Sequence, residues 1–241
     1  MIGSHDSCAC IAKDKCLCCC WPWAQTQTIS LHDQFQLGVR LFDLRYRLDD
    51  TVYYMSHTFS TSYTVEQALR ELIACAVDAH EYVYIRMKRD SSSPALPAFG
   101  AMIQPILEPY VIEYDGSTLW QFIRTKPSDS KCVLLYCDND TLRDDQVQQS
   151  WIFPEIFDVI ATWDCGTVTD AVERIQQRAF KENGLPKAIF IDFSSWYPPE
   201  IAFDMVWSRV QDTVVGYLTR HEIECVMINC VDVSTVRALS V

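Results

Sequence analysis

Short apolar runs alternate with amphipathic stretches along the chain, and this rhythm limits the fold more than any other feature. Val39 to Arg45, Val52 to Met55, Tyr82 to Met87, Cys132 to Tyr136, Asp158 to Ala161, Ala188 to Phe193 and Cys225 to Ile228 read as strands. Between them, Thr64 to Ala79 reads as a helix with Val65, Ala68, Leu69, Leu72 and Ile73 on one stripe. Thr64 is placed to cap it and Gln67 to complete a capping box. Thr167 to Asn183 reads as a second helix, closed by Gly184 and Pro186, and Pro199 to Arg220 as a third. Ser91 to Pro97 and Pro127 to Ser130 read as loops. Strands separated by helices imply β/α units around a parallel sheet. With 241 residues and 49% hydrophobic content, the chain can bury one sizeable core and would be cramped as two domains. A single domain over residues 1–241 is therefore expected, an α/β barrel.

The formal net charge of -12 opposes binding to nucleic acid and nonspecific adsorption to anionic membranes. Any membrane contact is expected to be local and apolar. Six of the twelve cysteines are Cys8, Cys10, Cys16, Cys18, Cys19 and Cys20. Their spacing fits no common zinc pattern. The N-terminus lacks a basic region followed by an apolar stretch, so reduced thiols and a cytoplasmic setting are expected. Palmitoylation of Cys18 to Cys20 is a further reading of the cluster. No apolar run reaches the length of a membrane span. The sequence carries no indication of oligomeric state.

Gly3-Ser4-His5-Asp6-Ser7 matches a G-[ST]-H-D-S pattern, and Trp23-Ala24-Gln25-Thr26-Gln27 matches W-x-x-T-Q. Gly38 to Arg45 follows G-[VA]-R-[IF]-F-D-[IL]-R, and Tyr54-Met55-Ser56-His57 falls where a strand carrying a second histidine is expected. In order and spacing these segments resemble the X domain of phosphatidylinositol-specific phospholipase C in its bacterial, metal-independent form. The resemblance covers about sixty residues well and thins beyond them. It implies a distorted (β/α)8 TIM-type barrel. Where relatives carry His-Gly, His57 is followed by Thr58, and Ile2 rather than proline precedes Gly3.

Strand parity sorts the site candidates. Val39, Leu41, Asp43 and Arg45 alternate onto one face of their strand, against Arg40, Phe42 and Leu44. With Phe42 and Leu44 on the helix layer, Asp43 and Arg45 point into the barrel near its C-terminal mouth, where barrel enzymes keep their chemistry. Parity likewise groups Arg86 and Lys88 with Tyr84, aiming two more cations at the mouth.

The resemblance then implies roles. His5 is the general base for an inositol 2-hydroxyl, oriented by a carboxylate late in the chain, for which Asp232 is the candidate. Arg45 holds the phosphate where calcium-dependent relatives have an acidic metal ligand, so no metal and no cofactor are expected. His57 protonates the departing diacylglycerol oxygen with Asp6 as its partner. Asp43 anchors Arg45, and Arg86 and Lys88 help to bind the substrate. The implied reaction cleaves phosphatidylinositol, or a glycosylated inositol anchor, to diacylglycerol and inositol 1,2-cyclic phosphate during transient contact with a membrane. Two rival readings stand beside it. One is a catalytically impaired X-domain that binds phosphoinositide or a protein partner, which the altered surroundings of His57 suggest. The other is a metal-dependent phosphodiesterase of the same superfamily, which would need acidic ligands at the mouth.

Trp21, Trp23, Trp196 and Tyr197 are candidates for the lipid interface, with core packing as the alternative for each. Trp120, Trp151, Trp163 and Trp207 are expected in the core. His32, His80 and His221 lie outside any motif and are read as surface or hydrogen-bonded structural residues.

Overall fold

The computed structural model describes residues 1–10, 25–57, 59–90, 95–116, 122, 125–136, 141–154, 158–177, 187–191 and 199–240. Its elements run β1 (Ile2–Ser4), α1 (Leu31–Gln36), β2 (Val39–Asp49), β3 (Val52–His57), β4 (Phe59–Thr64), α2 (Val65–Ala79), β5 (Val83–Arg89) and α3 (Ala98–Leu107). They continue with β6 (Val133–Tyr136), α4 (Thr141–Asp144), a 3-10 turn (Gln149–Trp151), β7 (Ile152–Phe153), β8 (Asp158–Ala161) and α5 (Val168–Gln176). Last come β9 (Lys187–Ile191), α6 (Pro199–Thr219), β10 (Cys225–Ile228) and α7 (Val233–Leu239).

Eight strands pair in the order β7-β6-β5-β2-β1-β10-β9-β8. Every pairing along this path is parallel. The long β2 runs on past the sheet and turns back as β3, which pairs antiparallel with it and with β4. Apart from the start of β2, the parallel strands alternate between two apolar layers. Val83, Ile85 and Met87 of β5 pack with α2 residues such as Leu69 and Leu72, which defines the layer between sheet and helices. Tyr84, Leu134, Tyr136, Phe190, Cys225 and Met227 form a second cluster built almost wholly from strands, the interior of the curled sheet.

A register shift qualifies the expected parity of β2. Ile2 faces Val39 but Gly3 faces Leu41, so β2 carries one extra residue there. Val39 consequently packs on the helix side while Leu41 packs inside. Beyond the shift the alternation is regular. Asp43 is level with Arg86 and Arg45 with Lys88 across the β2–β5 pair.

The local signal at the start of α2 acts as expected, and a second capping box stands at the start of α5. Thr64 and Gln67 form the capping box of α2, and Thr167 with Asp170 forms that of α5. The described part of α5 ends at Gln176, and residues 178–186 lie outside the described residues. β1 and β4 are short or polar strands that periodicity alone does not mark. The first is a run of three residues ending in the Gly-Ser of the motif, and the second, Phe59–Thr64, is mostly polar.

One expectation fails for a topological reason. Trp151 and Trp207 are buried, but Trp163 is 62% exposed. It follows the last residue of β8 by two positions, where the chain leaves the sheet at its C-terminal end, so it sits on the barrel rim. Trp120 lies outside the described residues.

A buried knot fixes the far side of the site's scaffold. The Asp145 carboxylate accepts from Tyr46 Oη at 2.6 Å and from Leu96 N at 2.6 Å, and it pairs with Arg89. It thereby ties β2, β5 and the segment after α4. Gly100 of α3 donates its N–H to Asp145 O at 3.0 Å. A Cβ on Gly100 would lie 2.0 Å from Gln146 O. Gly100→Ala should therefore destabilise the fold by about 1–3 kcal/mol. Its melting temperature should fall by several degrees; an unchanged one would contradict this packing.

Candidate active site

The chain leaves β1 at Ser4 and turns across the C-terminal end of the sheet. His5 N donates to Ile228 O at 2.9 Å and Ser7 N to Asp43 O at 2.8 Å, so the turn is sewn to both neighbouring strands. Asp6 takes a left-handed backbone conformation with φ of 44°. This conformation suits aspartate better than most residues. The turn brings both side chains of the His5-Asp6 pair into the mouth, although consecutive residues of a straight strand would face opposite ways.

Later segments brace the turn. Thr26 Oγ1 donates to Asp6 O at 3.0 Å. Gln27 is fully buried; its Nε2 donates to His5 O at 2.8 Å and Ile228 O at 3.2 Å, and its Oε1 accepts from Val231 N at 3.0 Å. Gln34 Nε2 donates to Ser7 O at 2.8 Å. The Thr-Gln of the W-x-x-T-Q segment thus has a physical task. It clamps the turn after β1 to the turn after β10.

Three side chains meet around the Asp6 carboxylate. Asp6 Oδ2 lies 3.4 Å from His5 Nδ1 and 3.3 Å from His57 Nε2. Asp6 Oδ1 pairs with Arg45 Nε. Arg45 Nη2 lies 3.0 Å from His5 Nε2, and Arg45 Nε is 3.7 Å from Asp43 Oδ2. Asp43 is fully buried, accepts from Arg86 Nη1 at 3.0 Å and lies 3.5 Å from His5 Nε2. Asp6 and Asp43 are thus each matched by a guanidinium. Both histidines and Arg45 converge on the Asp6 carboxylate. Arg86 is buried against Asp43, and Lys88 lies one alternate position nearer the mouth on the same strand.

Burial alone would push the Asp6 carboxyl up. Arg45, His5, His57 and Arg86 outweigh that desolvation and carry it from 3.8 down to about 2. Asp6 is therefore ionised at neutral pH.

Asp232 corrects the sequence expectation. Its side chain caps α7, accepting from Thr235 N at 2.7 Å and Ser234 Oγ at 2.8 Å, and it does not reach His5. Asn229 stands there instead, with Oδ1 2.9 Å from His5 Nδ1. The signal for it was present in strand parity. Cys225, Met227 and Asn229 alternate onto the inner face, and Cys225 and Met227 belong to the interior cluster. Trp21, Trp23, Trp196, Tyr197 and Cys16, Cys18, Cys19 and Cys20 lie outside the described residues. Burial pushes the Cys8 and Cys10 thiols up, away from the thiolate that metal binding needs.

His5, Asp6 and Asp43 offer ligand atoms within 4.8 Å of one another, close enough to share a cation. Arg45 and Arg86 already place fixed positive charge on those two carboxylates. A divalent ion would have to displace or tolerate them.

With this geometry in view, solved structures can be compared. A phosphatidylinositol-specific phospholipase C from Listeria monocytogenes superimposes with a TM-score of 0.72 at 18% identity, covering 99% of this chain and 90% of that one. A phosphatidylinositol-specific phospholipase C from Staphylococcus aureus gives a TM-score of 0.65 at 15% identity, covering 99% and 91%. The fold is a distorted (β/α)8 barrel. No protein-family model matches the sequence, and no curated protein matches it.

The depressed Asp6 carboxyl has a consequence for stability. A group that ionises more readily folded than unfolded stabilises the fold above its unfolded value and loses that contribution as pH falls through the folded one. Urea unfolding across pH should show stability falling between about pH 4 and pH 2. Part of that fall should be missing in Asp6→Asn, and identical profiles for the two proteins would contradict the charge network.

Proposed function

We propose that this chain is a phosphodiesterase of the phospholipase C type that cleaves phosphatidylinositol, or a glycosylated inositol lipid, without a metal ion. The observation that carries this reading is the convergence of His5, His57 and Arg45 on the one Asp6 carboxylate at the barrel mouth. Inositol phospholipids carry their own nucleophile, the hydroxyl next to the phosphate, so the enzyme must move protons and stabilise charge.

His5 Nε2 takes the proton of the 2-hydroxyl as its oxygen attacks phosphorus. Arg45, permanently charged and forked, leaves His5 to hold a nonbridging phosphate oxygen. The bond from phosphorus to the diacylglycerol oxygen breaks, and His57 supplies the proton to that oxygen. Ionised Asp6 keeps His57 and Arg45 in place. Diacylglycerol and inositol 1,2-cyclic phosphate leave. Lys88 and Arg86 add positive potential at the mouth for an anionic head group.

Phosphatidylinositol in mixed micelles containing a chelator tests the chemistry. Cyclic inositol phosphate should form, and His5→Ala and Arg45→Ala should each lower kcat by roughly 10²–10⁴-fold. A requirement for calcium, or activity surviving both substitutions, would contradict the mechanism. Binding without turnover at any pH would favour the impaired, ligand-binding reading.

The lipid must be met at a surface, because no described helix is long and apolar enough to cross a membrane. Trp163 after β8, Ile201 near the start of α6 and Val233 at the start of α7 are all exposed, and all stand at the C-terminal end of neighbouring strands. This rim lies on the same end of the barrel as His5. It suits shallow insertion into zwitterionic lipid, since the net charge of -12 opposes an anionic surface. Trp163→Ala should bind phosphatidylcholine vesicles several-fold more weakly while cleaving a monomeric substrate at the native rate. Undiminished vesicle binding would remove Trp163 from the interface.

A further inference from the structure

The base in this site is oriented by an amide, and the surrounding charges explain how that works. Arg45 Nη2 lies 3.0 Å from His5 Nε2. A guanidinium nitrogen can only donate, so this contact is made only while Nε2 presents its lone pair, with the proton of a neutral His5 ring on Nδ1. Nδ1 faces Asn229 Oδ1 at 2.9 Å and Asp6 Oδ2 at 3.4 Å. The amide oxygen is the nearer acceptor. Asp6 Oδ2 is also 3.3 Å from His57 Nε2, so its charge is shared with the second imidazole.

We infer that Asn229 is a positioning residue that locks His5 in its Nδ1–H form through an uncharged acceptor, leaving the Asp6 charge to His57 and Arg45. This rests on the reading of His5 as the general base. Asp6 from its own turn, Asp43 and Arg45 from β2, and Asn229 from the turn after β10 face His5. Arg86 of β5 bears on Asp43, and His57 of β3 on Asp6. Two carboxylates are thereby set against two guanidiniums. A carboxylate at position 229 would add another anion beside the ring. It would favour the imidazolium of His5, which has no lone pair left with which to take a proton.

The backbone holds Asn229 for this task. Gln27 bonds Ile228 O on one side of it and Val231 N on the other, while also gripping His5 O. Asn229 and His5 are thus fixed relative to each other by a third residue, and Asn229 is buried. Its amide orientation follows from the ring, since Nδ1–H requires an oxygen opposite it.

Long-range proton–nitrogen correlation spectra of ¹⁵N-histidine-labelled protein read the tautomer directly, with His5 assigned by its loss in His5→Gln. The neutral ring should carry its proton on Nδ1 in the native chain and in Asn229→Asp, and should become a mixture in Asn229→Leu. In turnover, Asn229→Leu should lower kcat by between roughly 10-fold and 10⁴-fold with KM little changed. Asn229→Asp should recover the rate at high pH while the acid limb of its kcat/KM profile moves to higher pH. An Nε2–H ring in the native protein, an Nδ1–H ring persisting in Asn229→Leu, or an acid limb unmoved by Asn229→Asp would each overturn the inference. Should Asn229→Leu fail to fold, the native spectrum and Asn229→Asp still decide. The spectra need no lipid, so a correct tautomer in a protein that cleaves no inositol lipid would defeat the proposed function and leave this inference standing.

Discussion

The carboxylate of Asp6 is the interaction on which the site depends. A buried anion without partners costs several kcal/mol, and in such a place it would simply take up a proton. Here two imidazoles and a guanidinium surround it and hold it ionised. The dependence runs in both directions. Arg45 and His57 are oriented because Asp6 is charged, and Asp6 stays charged because they are there. The left-handed turn at Asp6 is the local condition for this, because it lets two consecutive side chains enter the same mouth.

That turn would not hold by itself. It is sewn to β2 and β10 through backbone bonds and braced by Thr26, Gln27 and Gln34 from a segment some twenty residues later. Register matters as much as bracing. Slipping β2 by one residue would send Arg45 and Asp43 to the helix layer and bring Leu44 into the mouth. The extra residue near Arg40 absorbs a mismatch with β1 below the site, so that Asp43 and Arg45 still arrive level with Arg86 and Lys88.

How far the sequence could be read varies with the physics involved. β5 was legible because period-two alternation is a property of the strand itself, and Arg86, Lys88 and Tyr84 lie on the face it predicts. The capping box at Thr64 and Gln67 was legible because its partners are three residues apart. Val39 was misplaced because a bulge is set by the neighbouring strand, which the pattern within β2 does not report. Asp232 was chosen for its charge, yet an acid one residue before a helix is equally a cap, and that use won. Asn229 carries no charge to mark it as a partner of His5, although parity from Cys225 points to it. Residue type alone puts Trp163 in the core, whereas its place just past the end of a barrel strand exposes it. The meeting of His5 with Asn229, 224 positions apart, is visible only when β1 and β10 lie side by side.

The central claim is that His5, His57 and Arg45 surround one phosphorus atom. A crystal structure with a bound inositol phosphate tests this most directly. The account predicts the phosphate at hydrogen-bond distance from Arg45, with His5 Nε2 on the side of the 2-hydroxyl and His57 on the side of the departing oxygen. A phosphate bound elsewhere in the barrel, or held at the mouth with His57 turned away from it, would contradict the account.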